Sequence, residues 1–443
     1  MKIKFLGAAG TVTGSSYALT SDSGTSILID LGMFQGMYEI DKLNYQDYDY
    51  DCSRLSGAIL THAHLDHCGR LPILMSKGFG GNIWMTEPTR DLTEISLLDS
   101  AKIAKYDKKK ILYDEGDVYK TFEKFKTTGY GKQFEVGDFL ITMRDAGHML
   151  GSASLEIIDT KAKSGMKKIV FSGDLGNTPE ELVRETETIT DADIVVMEST
   201  YGGRLHPSEN PVDVIASEIN VIQKNGGTLL IPAFSLERTQ ELLHMIKHLI
   251  LEGKVSSNLP IFMDGPMAKK ATAVYLKYPD LFNPHIQSEM RDENPFSFES
   301  LEEEMRNMSG AKVIIAGSGM MMGGKIMEHA KRYLPEPDNR ILIVGYQGEG
   351  TIGRKILEGE KMVEIYGEKV VVRANVNSTQ AMSSHADSKQ LVSWLSAISG
   401  VKKVFLTHGE DESRLALSQQ IKTKLKIEDV TLPVLNQEIL ISS

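Results

Sequence analysis

Three observations predict an α/β protein built as two domains. The chain has 443 residues, more than one hydrophobic core usually organises. Several short apolar runs stop on an acid or a histidine: Ile27-Leu28-Ile29-Asp30, Ala58-Ile59-Leu60-Thr61-His62, Ile169-Val170-Phe171-Ser172-Gly173-Asp174, Ile194-Val195-Val196-Met197-Glu198 and Val404-Phe405-Leu406-Thr407-His408. Between about Gly203 and Ser383 apolar runs alternate with helical spacing instead, the pattern of a parallel sheet covered by helices.

Taken in order, Ile3 to Leu6, Ser26 to Asp30, Ala58 to Thr61 and Asn82 to Met85 read as short strands joined by glycine-rich turns. The N-terminal segment has some signal-peptide character. Gly7 and Gly10 break its apolar part, so it reads as a first strand and a turn. From Thr86 to Lys132, Leu92, Ile95, Leu98 and Ile103 fall near helical spacing and predict core-covering helices with no chemistry of their own.

The densest chemistry is Thr61-His62-Ala63-His64-Leu65-Asp66-His67-Cys68-Gly69. On an extended chain His62 and His64 point the same way. A turn into a helix at Leu65 would aim Asp66 and His67 at a neighbouring point. Neutral imidazole and carboxylate suit zinc, and a site with too few protein ligands to close keeps a water. The spacing therefore suggests two adjacent divalent ions. The competing reading, a histidine-rich surface turn, is the better one for an isolated H-x-H and a poor one for four such residues after a strand.

His62, His64, Asp66 and His67 match the H-x-H-x-D-H motif of the metallo-β-lactamase superfamily, and the chain resembles its β-CASP branch of RNA- and DNA-processing nucleases. The likeness covers nearly the whole chain, with several motifs in order. It implies an αββα metallo-β-lactamase sandwich made from residues 1–202 and 384–443. A β-CASP α/β domain, 203–383, would be inserted over it, with a polynucleotide running between the two. The resemblance also implies two zinc ions per chain. His62, His64 and His148 would hold one, Asp66, His67 and His408 the other, and Asp174 would bridge them. Asp30 would orient a ligand histidine from behind; the rival reading is a turn aspartate.

In Met382-Ser383-Ser384-His385-Ala386-Asp387 the resemblance makes His385 the general acid, with Glu198 orienting it, while Asp66 counts as catalytic as well as ligating. A histidine at position 408 is associated with RNA-acting members. The implied activity is a zinc-dependent ribonuclease, cutting endonucleolytically by a metal-bound hydroxide and leaving 3′-hydroxyl and 5′-phosphate ends. Three rivals stand beside it: a DNA nuclease of the same branch, a small-molecule hydrolase of the wider superfamily, and a non-catalytic RNA-binding subunit. Subunits of the last kind have lost metal ligands, and all seven positions here are intact.

In the middle of the chain, Gly227 to Pro232, Pro260 to Met263, Lys312 to Ala316 and Arg340 to Val344 read as buried strands, with a helix from Leu236 through Leu249. Pro232-Ala233-Phe234-Ser235-Leu236-Glu237-Arg238 resembles a branch signature, with Glu237 where a glycine is expected. Arg238, Ser318 and Gly319 are expected to face RNA phosphates, since small residues after a strand let backbone N–H groups approach an anion. His244 and His248 read as amphipathic-helix positions, because no carboxylate accompanies them, and His329 likewise. The methionines from Met308 to Met327 read as packing.

No apolar stretch is long enough to span a bilayer. Two cysteines, Cys52 and Cys68, argue against a disulfide framework and fit a reducing cytoplasm. A net charge of −11 disfavours long-range attraction to phosphate, so an RNA site must be a local basic patch. Lys108-Lys109-Lys110 and the lysines from Lys120 to Lys132 form one such patch, or equally a solvated helix face. RNA is the expected partner, with no membrane; a homodimer and other RNA-processing proteins complete the partner expectations.

Overall fold

The structure, a computed structural model, describes residues 1–36, 38–46, 49–106, 110–163, 165–178, 182–289, 294–296, 298–300, 309–348 and 350–441. The chain divides into two compact units, one of Met1–Leu205 with Ser384–Ser443, the other of His206–Ser383. Lys108, Lys109 and Met308 lie outside the described residues.

Among the described residues the first unit holds two seven-stranded sheets. One runs Glu438–Leu440, Lys2–Phe5, Tyr17–Thr20, Ser26–Ile29, Leu55–Ile59, Asn82–Met85, Phe125–Thr127. The other runs Val430–Thr431, Lys403–Leu406, Ile194–Met197, Lys168–Phe171, Ala153–Asp159, Phe139–Asp145, Gln133–Val136. Both sheets therefore draw strands from the two ends of the chain. Side chains alternate faces along a strand, and the burial follows that period. Ile27, Ile29, Ile169, Phe171, Ile194 and Val196 meet in one core shared by both sheets. Leu28 packs instead with Leu97 and Val118 of the helices Glu87–Tyr106 and Glu115–Phe122. Val170 and Val195 pack with Leu391 and Leu417 of the helices Ser388–Ser396 and Asp411–Leu425. Helix, sheet, sheet, helix is the αββα layering expected.

The stretch from Thr86 to Lys132 is not wholly helical. Phe125–Thr127 forms a short strand, parallel to Asn82–Met85. Three residues carry too little periodicity to announce a strand beside a 20-residue helix. The lysines of this region consequently divide between a helix end and a sheet edge.

The second unit is built on a six-stranded sheet in the order Glu299–Ser300, Ile261–Asp264, Lys312–Ala316, Thr228–Pro232, Arg340–Ile343, Asn375–Ser378. Every neighbouring pair is parallel. The helix expected from Leu236 runs Arg238–Leu251. Glu237, before it, has φ +67° and ψ −70°, and the Arg238 N–H donates to the Leu236 carbonyl at 2.9 Å. This is a tight three-residue turn that strains a side-chain-bearing residue, which is why a glycine is expected there. Glu237 is retained with its carboxylate buried, accepting the Tyr275 hydroxyl.

Candidate metal centre

The first unit gathers its histidines and acids through strand direction. Lys168–Phe171, Ile194–Met197 and Lys403–Leu406 are mutually parallel. Asp174, Glu198 and His408 therefore leave the sheet at one end. Leu55–Ile59 delivers His62, and the chain turns into the helix Leu65–Cys68 with His64 as its N-cap residue, φ −66° and ψ 145°. Asp66 and His67 sit in that first turn. His148 lies in the connection between Phe139–Asp145 and Ala153–Asp159, where its N–H donates to the Ser152 hydroxyl at 3.1 Å.

Three groups of donor atoms result: His62, His64, His148 and Asp174; Asp66, His67, His408 and Asp174; and Glu198, His385 and His408. Asp174 divides its two oxygens between the first two. Its Oδ2 is 3.5 Å from His62 Nε2 and 3.7 Å from His148 Nε2, while its Oδ1 is 3.3 Å from His67 Nε2 and 3.8 Å from His408 Nδ1. Asp66 Oδ2 stands 3.2 Å from His408 Nε2 and 3.9 Å from His67 Nε2. Four tetrahedral ligands at the usual zinc distances stand about 3.3 Å from one another, so these spacings suit ligands around an ion. His62 Nε2 and Asp174 Oδ1 are buried and have no hydrogen-bond partner. Orphaned buried polar atoms are costly, and a divalent cation would satisfy both. The donor set fits a pair of such ions.

Protonation of His62, His64 and His148 points the same way. Burial pushes His62 and His148 well below the ordinary histidine value, and His64 down to about 4. These imidazoles are neutral and offer lone pairs. Burial also opposes charging His67, but the carboxylates of Asp174 and Asp30 outweigh it and hold its proton well above the usual range. Burial works against ionising Asp66, yet the hydrogen bond and charge of its histidine neighbours bring it to about 2. Asp174 likewise stays ionised against its burial, held well below the usual range by His408, His67 and His62.

The outer layer fixes ring orientation. Asp30 lies 2.7 Å from His67 Nδ1, so that nitrogen donates to it and Nε2 turns to the centre. Asp30 also accepts from Thr61 N–H and Thr61 Oγ1, each at 2.8 Å. His148 Nδ1 is 3.0 Å from the Ser384 carbonyl, and His408 Nδ1 is 3.0 Å from Thr200 Oγ1. Thr61, Thr200 and the Ser384 carbonyl went unread in the sequence. A backbone carbonyl has no residue-type signal, and threonines beside ligands resemble any strand-end threonine.

His385 stands beside these groups. Its backbone bridges to Gly176, and its Nδ1 is 3.2 and 3.3 Å from the two oxygens of Glu198. Glu198 is buried and also accepts the Leu175 N–H at 2.7 Å. Burial opposes charging His385, but Glu198 overcomes it and raises the pKa to about 9. The ring centroids of His385 and His148 are 4.6 Å apart.

The residues expected to touch phosphate lie in the second unit. Arg238 is buried and paired with the buried Glu241 one turn along its own helix. A guanidinium at a helix start inside the unit is drawn to the nearest carboxylate before solvent. Gly319 is buried, and its carbonyl accepts Gln347 Nε2 at 3.0 Å. The Ser318 hydroxyl closes its own loop, accepting the Met322 N–H at 3.0 Å and donating to Gly323 O at 3.3 Å. The Arg238 side chain and the Ser318 hydroxyl thus make contacts within the second unit. His244 and His248 have Nε2 atoms 3.0 Å apart, and among the described residues they belong to none of the groups that could hold a metal. His329 is buried against Asp264 at 2.7 Å. Cys68 is packed, its thiol pushed well up by burial.

Family comparison agrees with this geometry. Residues 9–213 match the metallo-beta-lactamase superfamily, 239–356 the Beta-Casp domain, and 369–433 the Zn-dependent metallo-hydrolase RNA specificity domain. The chain is 34% identical to Ribonuclease TTHA0252 of Thermus thermophilus, over 95% of each chain. It is 31% identical to an RNase J-like protein of Methanocaldococcus jannaschii, over 96% of each. A protein of unknown function from Enterococcus faecalis shares the fold, with a TM-score of 0.58, 12% identity and 99% of each chain covered. The chain belongs to the β-CASP family of metal-dependent ribonucleases within the metallo-β-lactamase superfamily. Among the described residues no helix is long and apolar enough to cross a membrane.

Proposed function

We propose that this chain hydrolyses RNA phosphodiester bonds endonucleolytically at a two-zinc centre, leaving 3′-hydroxyl and 5′-phosphate ends. The observation that carries it is the His385–Glu198 pair beside two donor groups that share Asp174. His62, His64 and His148 would hold one ion and Asp66, His67 and His408 the other, with Asp174 common to both. When bound, the two ions supply an acidified water and stabilise charge on the phosphoryl oxygens.

The chain's own residues do the rest. Asp30 keeps the proton of His67 on Nδ1, so that Nε2 is the ligating atom. Glu198 holds a proton on His385 Nδ1 and favours the charged ring. The other ring nitrogen, Nε2, then carries the proton delivered to the leaving 3′-oxygen. The RNA-named relatives and the RNA specificity match over 369–433 support RNA as substrate. Metal-analysed protein incubated with end-labelled RNA and matched DNA tests the proposal by mapping both product ends. Internal cuts in RNA leaving 5′-phosphates are expected; faster cutting of DNA at equal metal loading would overturn the substrate assignment.

A further inference from the structure

Phe234 is a large aromatic residue left 44% exposed, just after the strand Thr228–Pro232. That strand lies beside Lys312–Ala316 at the middle of the parallel sheet of the second unit. The connections that leave them run in opposite senses, Thr228–Pro232 leading past Lys312–Ala316 to Ile261–Asp264 and Lys312–Ala316 leading past Thr228–Pro232 to Arg340–Ile343. Open α/β sheets take ligands outside the carboxyl ends of their strands.

The loops leaving these two strands meet at the ring. A Cβ on Gly319 would fall 2.8 and 2.9 Å from Cδ2 and Cε2 of Phe234, and 3.1 Å from its amide nitrogen. Only glycine lets the Phe234 ring lie this close to the second loop, and Gly319 is itself buried. Part of the ring rests on backbone while the rest faces water. Gln347 donates to the Gly319 carbonyl and ties in a third loop, whose Tyr346 is 47% exposed. The loop that carries Gly319 also holds Met322, 61% exposed. A flat ring held on backbone suits a flat ligand. Every nucleobase offers a π-face, and aromatic platforms of this kind bind single strands with little regard to sequence.

We propose that Phe234 is a stacking platform for one unpaired nucleobase of the RNA, an assignment that rests on the ribonuclease reading above. Steady-state cleavage by full-length protein tests it, using single-stranded oligoribonucleotides with one abasic position walked along the chain. In the parent one position should raise KM about ten-fold. F234A should show the same rise with intact RNA, and there the abasic position should add nothing. F234L keeps the apolar bulk without the π-face and should behave as F234A. F234W should retain parental KM, its added emission quenched as the oligoribonucleotide is titrated in. An undiminished abasic penalty in F234A, or parental KM in F234L, overturns the platform. Quenching in F234W without cleavage by the parent would overturn the ribonuclease reading and leave the platform standing.

Discussion

Proton placement at single residues decides what the centre can do. The neutral His62, His64 and His148 are ligands in waiting, while His385 is held charged by a buried carboxylate it touches. A 3′-alkoxide is a poor leaving group, and general acids contribute about 10²–10⁴-fold. His385→Ala should lose about that much turnover while keeping its metal, and recover most of it on a substrate with a bridging 3′-sulfur. Equal loss on both substrates, with metal content measured in parallel, would reassign His385 to ligand binding. The same pairing has a signature in the metal-free protein. The folded pKa of His385 is raised from 6.5 to about 9, so its stabilisation is complete below pH 6.5 and disappears as pH rises through about 9. In chelator, Glu198→Gln should be less stable than the parent at pH 6, with the gap in denaturation midpoint narrowing toward pH 10. A gap constant with pH would mean that Glu198 acts only through its backbone contacts.

At the scale of elements, the centre depends on how closely one turn passes another. The segment after Ser26–Ile29 runs under the turn that presents Asp66 and His67: Leu31 N–H donates to His67 O at 2.8 Å and Met33 N–H to Leu65 O at 2.7 Å. A Cβ at Gly32 would lie 1.5 Å from the Asp66 carbonyl oxygen. Gly32→Ala must therefore displace that turn, and should cost metal affinity at least as severely as loss of an outer-layer partner, about 10–100-fold. Titration with a competing chelator measures it; unchanged affinity would show that the turn yields without moving its ligands. The strand-then-ligand arrangement was legible because each strand is buried on both faces and reads as a continuous apolar run that stops at its donor. Gln133–Val136, Phe139–Asp145 and Ala153–Asp159 escaped notice because their burial is uneven and their sequences mix polar residues into the run. Gly32 itself sat in plain view, but a close approach between distant segments leaves no local pattern.

For the molecule as a whole, the donor atoms come from positions 62 to 408, yet all belong to the unit formed by the two chain ends. Bringing such distant segments together costs conformational entropy, and an ion bound only by the folded form offsets it by mass action. Two zinc ions per chain are expected in protein purified without chelator, and Asp174→Ala should reduce both occupancies, because one carboxylate faces both donor groups. Elemental analysis that finds one site still full in that variant would end the shared-ligand assignment. Chelation carries the argument to stability. The second unit has its own core, with Leu230, Ile314, Ile341 and Ile343 packed around its sheet, and supplies none of the donors in the two groups. Calorimetry should therefore show chelator lowering the unfolding temperature of the metal-bearing unit while a second transition stays in place. The downshift should be larger at neutral than at mildly acidic pH, since ligation must displace the proton held on His67 and grows weaker as protons compete. A thermogram untouched by chelator, from protein shown to hold metal beforehand, would mean that the fold of this unit stands without its ions.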